Sequence, residues 1–145
     1  MIANSSVEVA VPAAAVWAVY ADVERWPEWT ASITRIEALD GPELAIGKRF
    51  AIKQPRLPRL VWEISELEPG ASWTWRQGSP GGLTLAVHEV AALGPERTLV
   101  RQRIDQRGPV GTLVGVLMRG LTRKYLAMEA AGLKARCEHR VAPPA

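Results

Sequence analysis

From residue 32 to 106 the chain is a succession of short β-rich runs, at roughly 32–39, 48–54, 59–67, 72–77, 83–91 and 97–106. Turn signals separate them: Asp40-Gly41-Pro42, Pro55 to Pro58, Glu68-Pro69-Gly70, Gly78 to Gly82 and Gly94-Pro95. Connections this short force consecutive strands to pair antiparallel, because a parallel crossover needs about a dozen residues. Ahead of them Val7, Val9 and Val11 alternate with Glu8 and Ala10, the period of a half-buried strand that ends at Pro12. Seven strands are predicted.

Two kinds of helix flank this array. After Pro12, which a first helical turn tolerates, Ala13 to Ala21 is rich in helix formers. Asp22 can cap a second short turn, and Trp26-Pro27 is expected to end it, since a residue before proline is pushed out of the α region. After Gly108-Pro109 the spacing becomes helical, with Leu113, Leu117, Leu121, Tyr125, Met128 and Gly132 on one face. Arg119, Arg123, Lys124, Glu129, Lys134 and Arg136 then mark the wet side of a helix running to about Cys137. Gly111, Gly115 and Gly120 each weaken its first half by about 1 kcal/mol relative to Ala.

The predicted fold is therefore α+β. A seven-stranded antiparallel curved sheet wraps round a long C-terminal helix, with two short helices after the first strand. Residues 1–140 are read as one domain, of ordinary size for a single hydrophobic core, and 141–145 as a frayed tail.

Strand parity identifies the inner face of this sheet. Phe50, Ile52 and Gln54 share one side, as do Leu60, Trp62 and Ile64, then Trp73, Trp75 and Gln77, then Val100, Gln102 and Ile104. Lys53, Glu63, Arg76, Arg101 and Arg103 occupy the opposite, solvent-suited side. One helix laid across a long bent sheet fills the concavity incompletely, so an apolar cavity with a few placed polar groups is expected. Its predicted lining from the sheet side is Trp26, Phe50, Ile52, Gln54, Trp62, Trp73, Trp75 and Gln102, and from the helix Leu117, Leu121 and Tyr125. Six tryptophans against one Phe and two Tyr suit such a wall, although most tryptophans simply fill cores. A single Gln more often finds a backbone partner than a ligand.

His88 admits two readings. Hydrophobicity alone sends Leu83, Leu85 and Val87 inward and His88 out, while the other parity puts small Thr84 and Ala86 inside beside an inward His88. An inward histidine could exchange protons or bond a ligand, and could equally be a satisfied structural group.

Several function classes are disfavoured. The apolar runs Val11 to Ala21 and Val110 to Met118 fall short of the roughly 20 residues a membrane span needs. The N-terminus lacks the pattern of a secretory leader, so a cytoplasmic location is expected. Cys137 is the only cysteine and His88 and His139 the only histidines, so neither an intrachain disulfide nor a bound metal is expected, and no cofactor. Charge is uneven: residues 1–96 hold 8 Lys/Arg against 12 Asp/Glu, and 97–145 hold 10 against 3. That basic end lacks interleaved aromatics, which argues against nucleic acid. A monomer or homodimer is expected.

The order of these elements resembles the START-like superfamily, also called the Bet v 1-like (SRPBCC) or polyketide cyclase/dehydrase and lipid-transport group. The marks are Asp22-Val23-Glu24-Arg25-Trp26-Pro27-Glu28-Trp29, Gly47-Lys48-Arg49-Phe50, and Trp62 followed by Glu68-Pro69-Gly70. Further on come Trp73-Thr74-Trp75, Pro80-Gly81-Gly82 leading to His88, and Gly108-Pro109-Val110-Gly111. The resemblance implies a helix-grip fold whose cavity binds a lipid, a polyketide-like compound or another small hydrophobic molecule. It also implies an inward His88. A minority of such proteins are cyclases or dehydratases, for which His88 and Tyr125 are the catalytic candidates here. A third alternative is an interaction module, docking on an acidic partner or a membrane surface through the basic helix and the 97–107 strand, without stable insertion.

Overall fold

The computed structural model of the chain describes residues 1–141, with only the backbone of the last two. Seven strands form one antiparallel sheet: β1 (Ile2–Val9), β2 (Arg35–Ala38), β3 (Arg49–Lys53), β4 (Leu60–Glu68), β5 (Ser72–Ser79), β6 (Gly82–Gly94) and β7 (Arg97–Arg107). Their order is β1-β7-β6-β5-β4-β3-β2, so every neighbour after β1 is consecutive in sequence. β1 crosses over to pair with β7, setting Val7 opposite Val100 and Ser5 opposite Gln102. It runs earlier than the valine alternation suggests. Val11 lies beyond its end, where it is buried and its carbonyl accepts a 2.7 Å bond from the Thr98 hydroxyl. Register shifts at Ile64/Glu66 in β4 and at Ala92/Gly94 in β6 add local twist to the sheet.

Between β1 and β2 lie α1 (Ala13–Tyr20) and a 3-10 helix over Val23–Glu28. Pro27 sits inside that 3-10 helix, which continues to Glu28 instead of ending at Trp26-Pro27. A proline ring fits helical φ, so the short helix accommodates it. The Trp26 carbonyl closes the segment by accepting from both Trp29 and Thr30 at 3.0 Å.

The C-terminal helical stretch is α2 (Pro109–Leu117) followed by α3 (Arg119–Val141), joined at Met118. The Met118 N–H still donates to the Val114 carbonyl and the Thr122 N–H to that of Met118, so bonding carries through the joint. α2 turns a different face inward from the one its leucines suggest. Gly111 and Gly115 are buried, whereas Leu113 and Leu117 are exposed. The reason is steric: a Cβ on Gly111 would meet the Gly82 and Leu83 backbone at about van der Waals distance, and one on Gly115 would meet Gln106 and Met1 below 3 Å. These two glycines pack α2 closely against the β6–β7 hairpin and the N-terminus. In α3 the buried face comprises Tyr125, Leu126, Glu129, Leu133 and Cys137. Gly132 lets α3 meet the loop after the 3-10 helix, since a Cβ there would fall 2.0 Å from the Trp29 carbonyl oxygen. α3 extends to Val141, the first residue of the predicted tail; residues 142–145 lie outside the described residues.

Candidate functional site

Between the concave sheet face and the C-terminal helices lies a cavity of about 350 Å³. Each strand from β3 to β7 contributes to it through inward positions. Ile52 and Gln54 come from β3 and its end, Leu60 and Trp62 from β4, Trp75 and Gln77 from β5, Thr84, Ala86 and His88 from β6, Gln102, Ile104 and Gln106 from β7. Trp26, Ile33 and Leu57 close the sides, and Val114, Met118, Leu121, Thr122, Tyr125, Leu126 and Glu129 form the helical roof.

The structure thus brings together Trp26, Ile52, Gln54, Trp62, Trp75, His88, Gln102, Leu121 and Tyr125, all expected from the sequence. Phe50, Trp73 and Leu117, also expected, do not line the cavity. Phe50 and Trp73 share the inner sheet face but are fully buried in the core beneath other side chains. Trp73 is covered by α1, with the Tyr20 ring 4.8 Å and the Trp17 ring 5.6 Å away. Leu117 is 74% exposed, because α2 places its glycines against the hairpin and turns this side chain out; Val114 and Met118 reach the cavity in its stead.

His88 points inward. Its ring stacks on Trp73 at 4.3 Å and 12°, with Trp75 edge-on at 5.0 Å. Its Nδ1 lies 3.3 Å from the Trp73 carbonyl oxygen, and since that oxygen can only accept, Nδ1 carries the hydrogen and Nε2 is left as an acceptor. Burial pushes the imidazole down to about 3, only partly opposed by that carbonyl. The ring is neutral at physiological pH.

Of the three inner-face glutamines read from strand parity, two are held by backbone: Gln54 Nε2 donates to the Ser32 carbonyl at 3.3 Å and Gln77 Nε2 to that of Gly78 at 3.0 Å. The third differs. Gln102 Nε2 donates at 3.1 Å to Oε1 of Glu129, whose Oε2 accepts at 3.1 Å from the Ser32 hydroxyl, itself 2.7 Å from that of Thr30. Glu129 is only 7% exposed. Burial raises its carboxyl to about 7, against the lowering effect of the bonds from Gln102 and Ser32. Its charge alone predicts the wet side of the helix; the structure corrects this. The available signal is its spacing, four residues after Tyr125 and four before Leu133, on what proves to be the buried stripe. Tyr125 itself donates its hydroxyl to the Pro55 carbonyl.

Among the described residues no three His, Cys, Asp or Glu side chains converge as a metal site would require, and no helix is long and apolar enough to cross a membrane.

Known proteins share this fold. Residues 2–138 match the family described as polyketide cyclase / dehydrase and lipid transport. No curated protein matches the sequence. Among solved structures, the ZhuI aromatase/cyclase from Streptomyces sp. R1128 superposes with a TM-score of 0.75 at 19% identity, covering 98% of this chain and 96% of that one. A START superfamily protein from Mycobacterium smegmatis gives 0.70 at 21%, covering 97% and 99%. Norcoclaurine synthase from Thalictrum flavum, solved with dopamine and hydroxybenzaldehyde, gives 0.74 at 13%, covering 99% and 89%. At these identities the three share the fold with this chain.

Proposed function

The chain belongs to the polyketide cyclase / dehydrase and lipid transport family, and from that premise we propose that it is a cytoplasmic binder or carrier of a small hydrophobic molecule held in the cavity. The observation that carries the reading is the cavity itself. Protein interiors are close-packed, with few voids larger than a water molecule, yet here about 350 Å³ stays open beside Trp62, Trp75, Ile104 and Leu121. A space of that size and polarity is what a small apolar ligand fills. A cyclase or dehydratase role would need a group to move protons, and of the lining groups only Glu129, titrating at about 7, is tuned for that. His88 suits this poorly, since a ring titrating at about 3 is no acid near neutrality, and the Tyr125 hydroxyl is committed to Pro55. Native mass spectrometry of the protein purified from its own host, followed by organic extraction, tests the proposal. A retained apolar compound of one chemical class is expected; an empty protein that also ignores alcohols, hydrocarbons and aromatic compounds would sink it.

A second reading is favoured by α2. Val110, Leu113, Val114, Val116 and Leu117 are all exposed on this nine-residue helix, and Arg107, Arg119, Arg123 and Lys124 are exposed beside it in the chain. An apolar face next to clustered cations suits an anionic lipid surface, and Val114 places that face against the cavity wall. Flotation with phosphatidylserine vesicles should capture the protein at low salt and release it at high salt. Leu117→Glu should weaken capture with no loss of stability; equal capture by neutral vesicles would remove the electrostatic part.

A further inference from the structure

The cavity has an electrostatic sign. Among the described residues, no Lys or Arg side chain lines it. His88 is held without charge by its burial, and Tyr125 spends its proton on the Pro55 carbonyl. The one lining group that takes a charge near neutrality is Glu129, and that charge is negative. A ligand carboxylate or phosphate would therefore enter a space with no cation to receive it and one carboxylate to repel it, a costly arrangement in a low-dielectric site.

The same carboxyl is held in place by neighbours on two elements. Gln102 on β7 donates to one oxygen and Ser32, in the loop before β2, to the other, each at 3.1 Å, with Thr30 bonded in turn to Ser32. A carboxylate has about four acceptor sites, so a single bond to each oxygen leaves capacity on both. Both donors are neutral, and neither offsets the charge.

We propose that Glu129 is the polar anchor of the cavity and that its ligand is an apolar compound bearing one basic nitrogen, whose ammonium pairs with the Glu129 carboxylate while the hydrocarbon fills the space along Trp62, Trp75 and Leu121. This rests on the ligand-binding reading above and narrows it from a hydrophobic molecule to a hydrophobic amine. An incoming ammonium supplies the compensating charge that Gln102 and Ser32 do not, and a charge-assisted bond is worth more than the neutral bonds a plain alcohol could make.

Binding should couple to pH. An ammonium needs the ionised carboxylate, so a proton leaves Glu129 when the amine enters at acid pH. The other titratable groups facing this region are Tyr20 on α1, Tyr125 on α3 and His88 on β6. Tyr20 is raised well above its usual range by burial and then by the Glu129 charge, so it stays protonated. His88, at about 3, stays neutral.

Naphthylmethylamine, naphthylmethanol and naphthoic acid share one ring skeleton and differ in the head group. Titrated calorimetrically into the whole protein, the amine should bind about tenfold or more tighter than the alcohol, and the acid weakest of the three. Amine affinity should climb by up to about tenfold per pH unit on approaching pH 7 and then level off, while alcohol affinity stays flat. In Glu129→Gln, which keeps the side-chain shape, the amine-to-alcohol affinity ratio should fall to about one. The wild-type pH profile stands independently should that variant fold poorly. Amine and alcohol binding equally at every pH, or the acid binding best, would overturn the amine assignment and leave the hydrophobic cavity reading standing. No binding by any of the three, nor by longer hydrocarbons, would remove both.

Discussion

Gln102 on β7 donates its amide hydrogen to Glu129 on α3 across 3.1 Å, so a buried polar bond ties the sheet to the helix that roofs it. Replacing Gln102 by Leu removes a donor and leaves the Glu129 carboxyl in contact with Ser32 alone. An unsatisfied buried group costs about 1–3 kcal/mol, so the urea midpoint should drop accordingly. Because Gln102 is one of the two bonds that hold the Glu129 carboxyl down, its removal should also move the carboxyl titration upward, which carbon-detected NMR reads directly. A Glu129 titration unchanged in Gln102→Leu would show that the bond is not formed in solution.

Glu129 and His88 pull stability in opposite directions with pH. The native Glu129 carboxyl titrates at about 7 against an ordinary 4.5, so the folded chain holds the extra proton and stability falls as pH rises through that window. The native His88 titrates at about 3 against 6.5, so the unfolded chain holds the extra proton and stability falls as pH drops through that window. Between about 4.5 and 6.5 the two slopes, each up to about 1.4 kcal/mol per pH unit, cancel. Tyr20 adds nothing there, being protonated throughout. Urea unfolding across this range should therefore show Glu129→Gln gaining stability with rising pH and His88→Gln losing it, relative to the wild type. Three parallel profiles would mean that neither group is buried as described.

Three helical glycines should respond differently to alanine. A Cβ added at Gly120 would meet nothing within 4 Å, so Gly120→Ala should stabilise the chain by roughly 0.5–1 kcal/mol through helix propensity. At Gly115 it would press on the Gln106 and Met1 side chains, which can move aside. At Gly132 it would strike the Trp29 carbonyl at 2.0 Å, and a backbone neighbour cannot yield, so Gly132→Ala should cost about 3 kcal/mol or more. Thermal melts rank the three. A neutral Gly132→Ala would contradict the close approach of α3 to the Trp29 loop.

What is legible in the sequence follows from what period and turns can encode. Alternation along 50–54, 60–64, 73–77 and 100–104 is local, and it puts Trp62, Trp75 and Gln102 on the cavity side, where they are found. Depth is not local. Phe50 and Trp73 have the same parity as the lining residues, but α1 covers Trp73 and Phe50 is packed into the core beside Trp75, and neither neighbour is written into the strand that carries the residue. α2 misleads because its small residues form the contact face, so a reading by hydrophobicity points Leu113 and Leu117 at the core when Gly111 and Gly115 are there. Glu129 is lost to the rule that charge faces water, which fails where Gln102 and Ser32, distant in sequence, supply donors.

Ala86 and Val90 lie on the same face of β6, on either side of His88, and separate the open cavity from the packed core. Both belong to the core cluster, but Ala86 also lines the cavity, opposite Trp75, whereas Val90 does not. Enlarging a residue in close-packed surroundings forces its neighbours off their rotamers and costs about 1–3 kcal/mol. Val90→Phe should therefore lower the urea midpoint. Ala86→Leu adds three carbons on the cavity side, so it should cost less than Val90→Phe, because buried apolar contacts replace part of the empty volume. It should at the same time weaken naphthylmethanol binding, because the methyl groups occupy the volume the ring would take. Equal destabilisation by the two substitutions would mean that the space beside Ala86 is closed in solution, and the ligand would then have to open it.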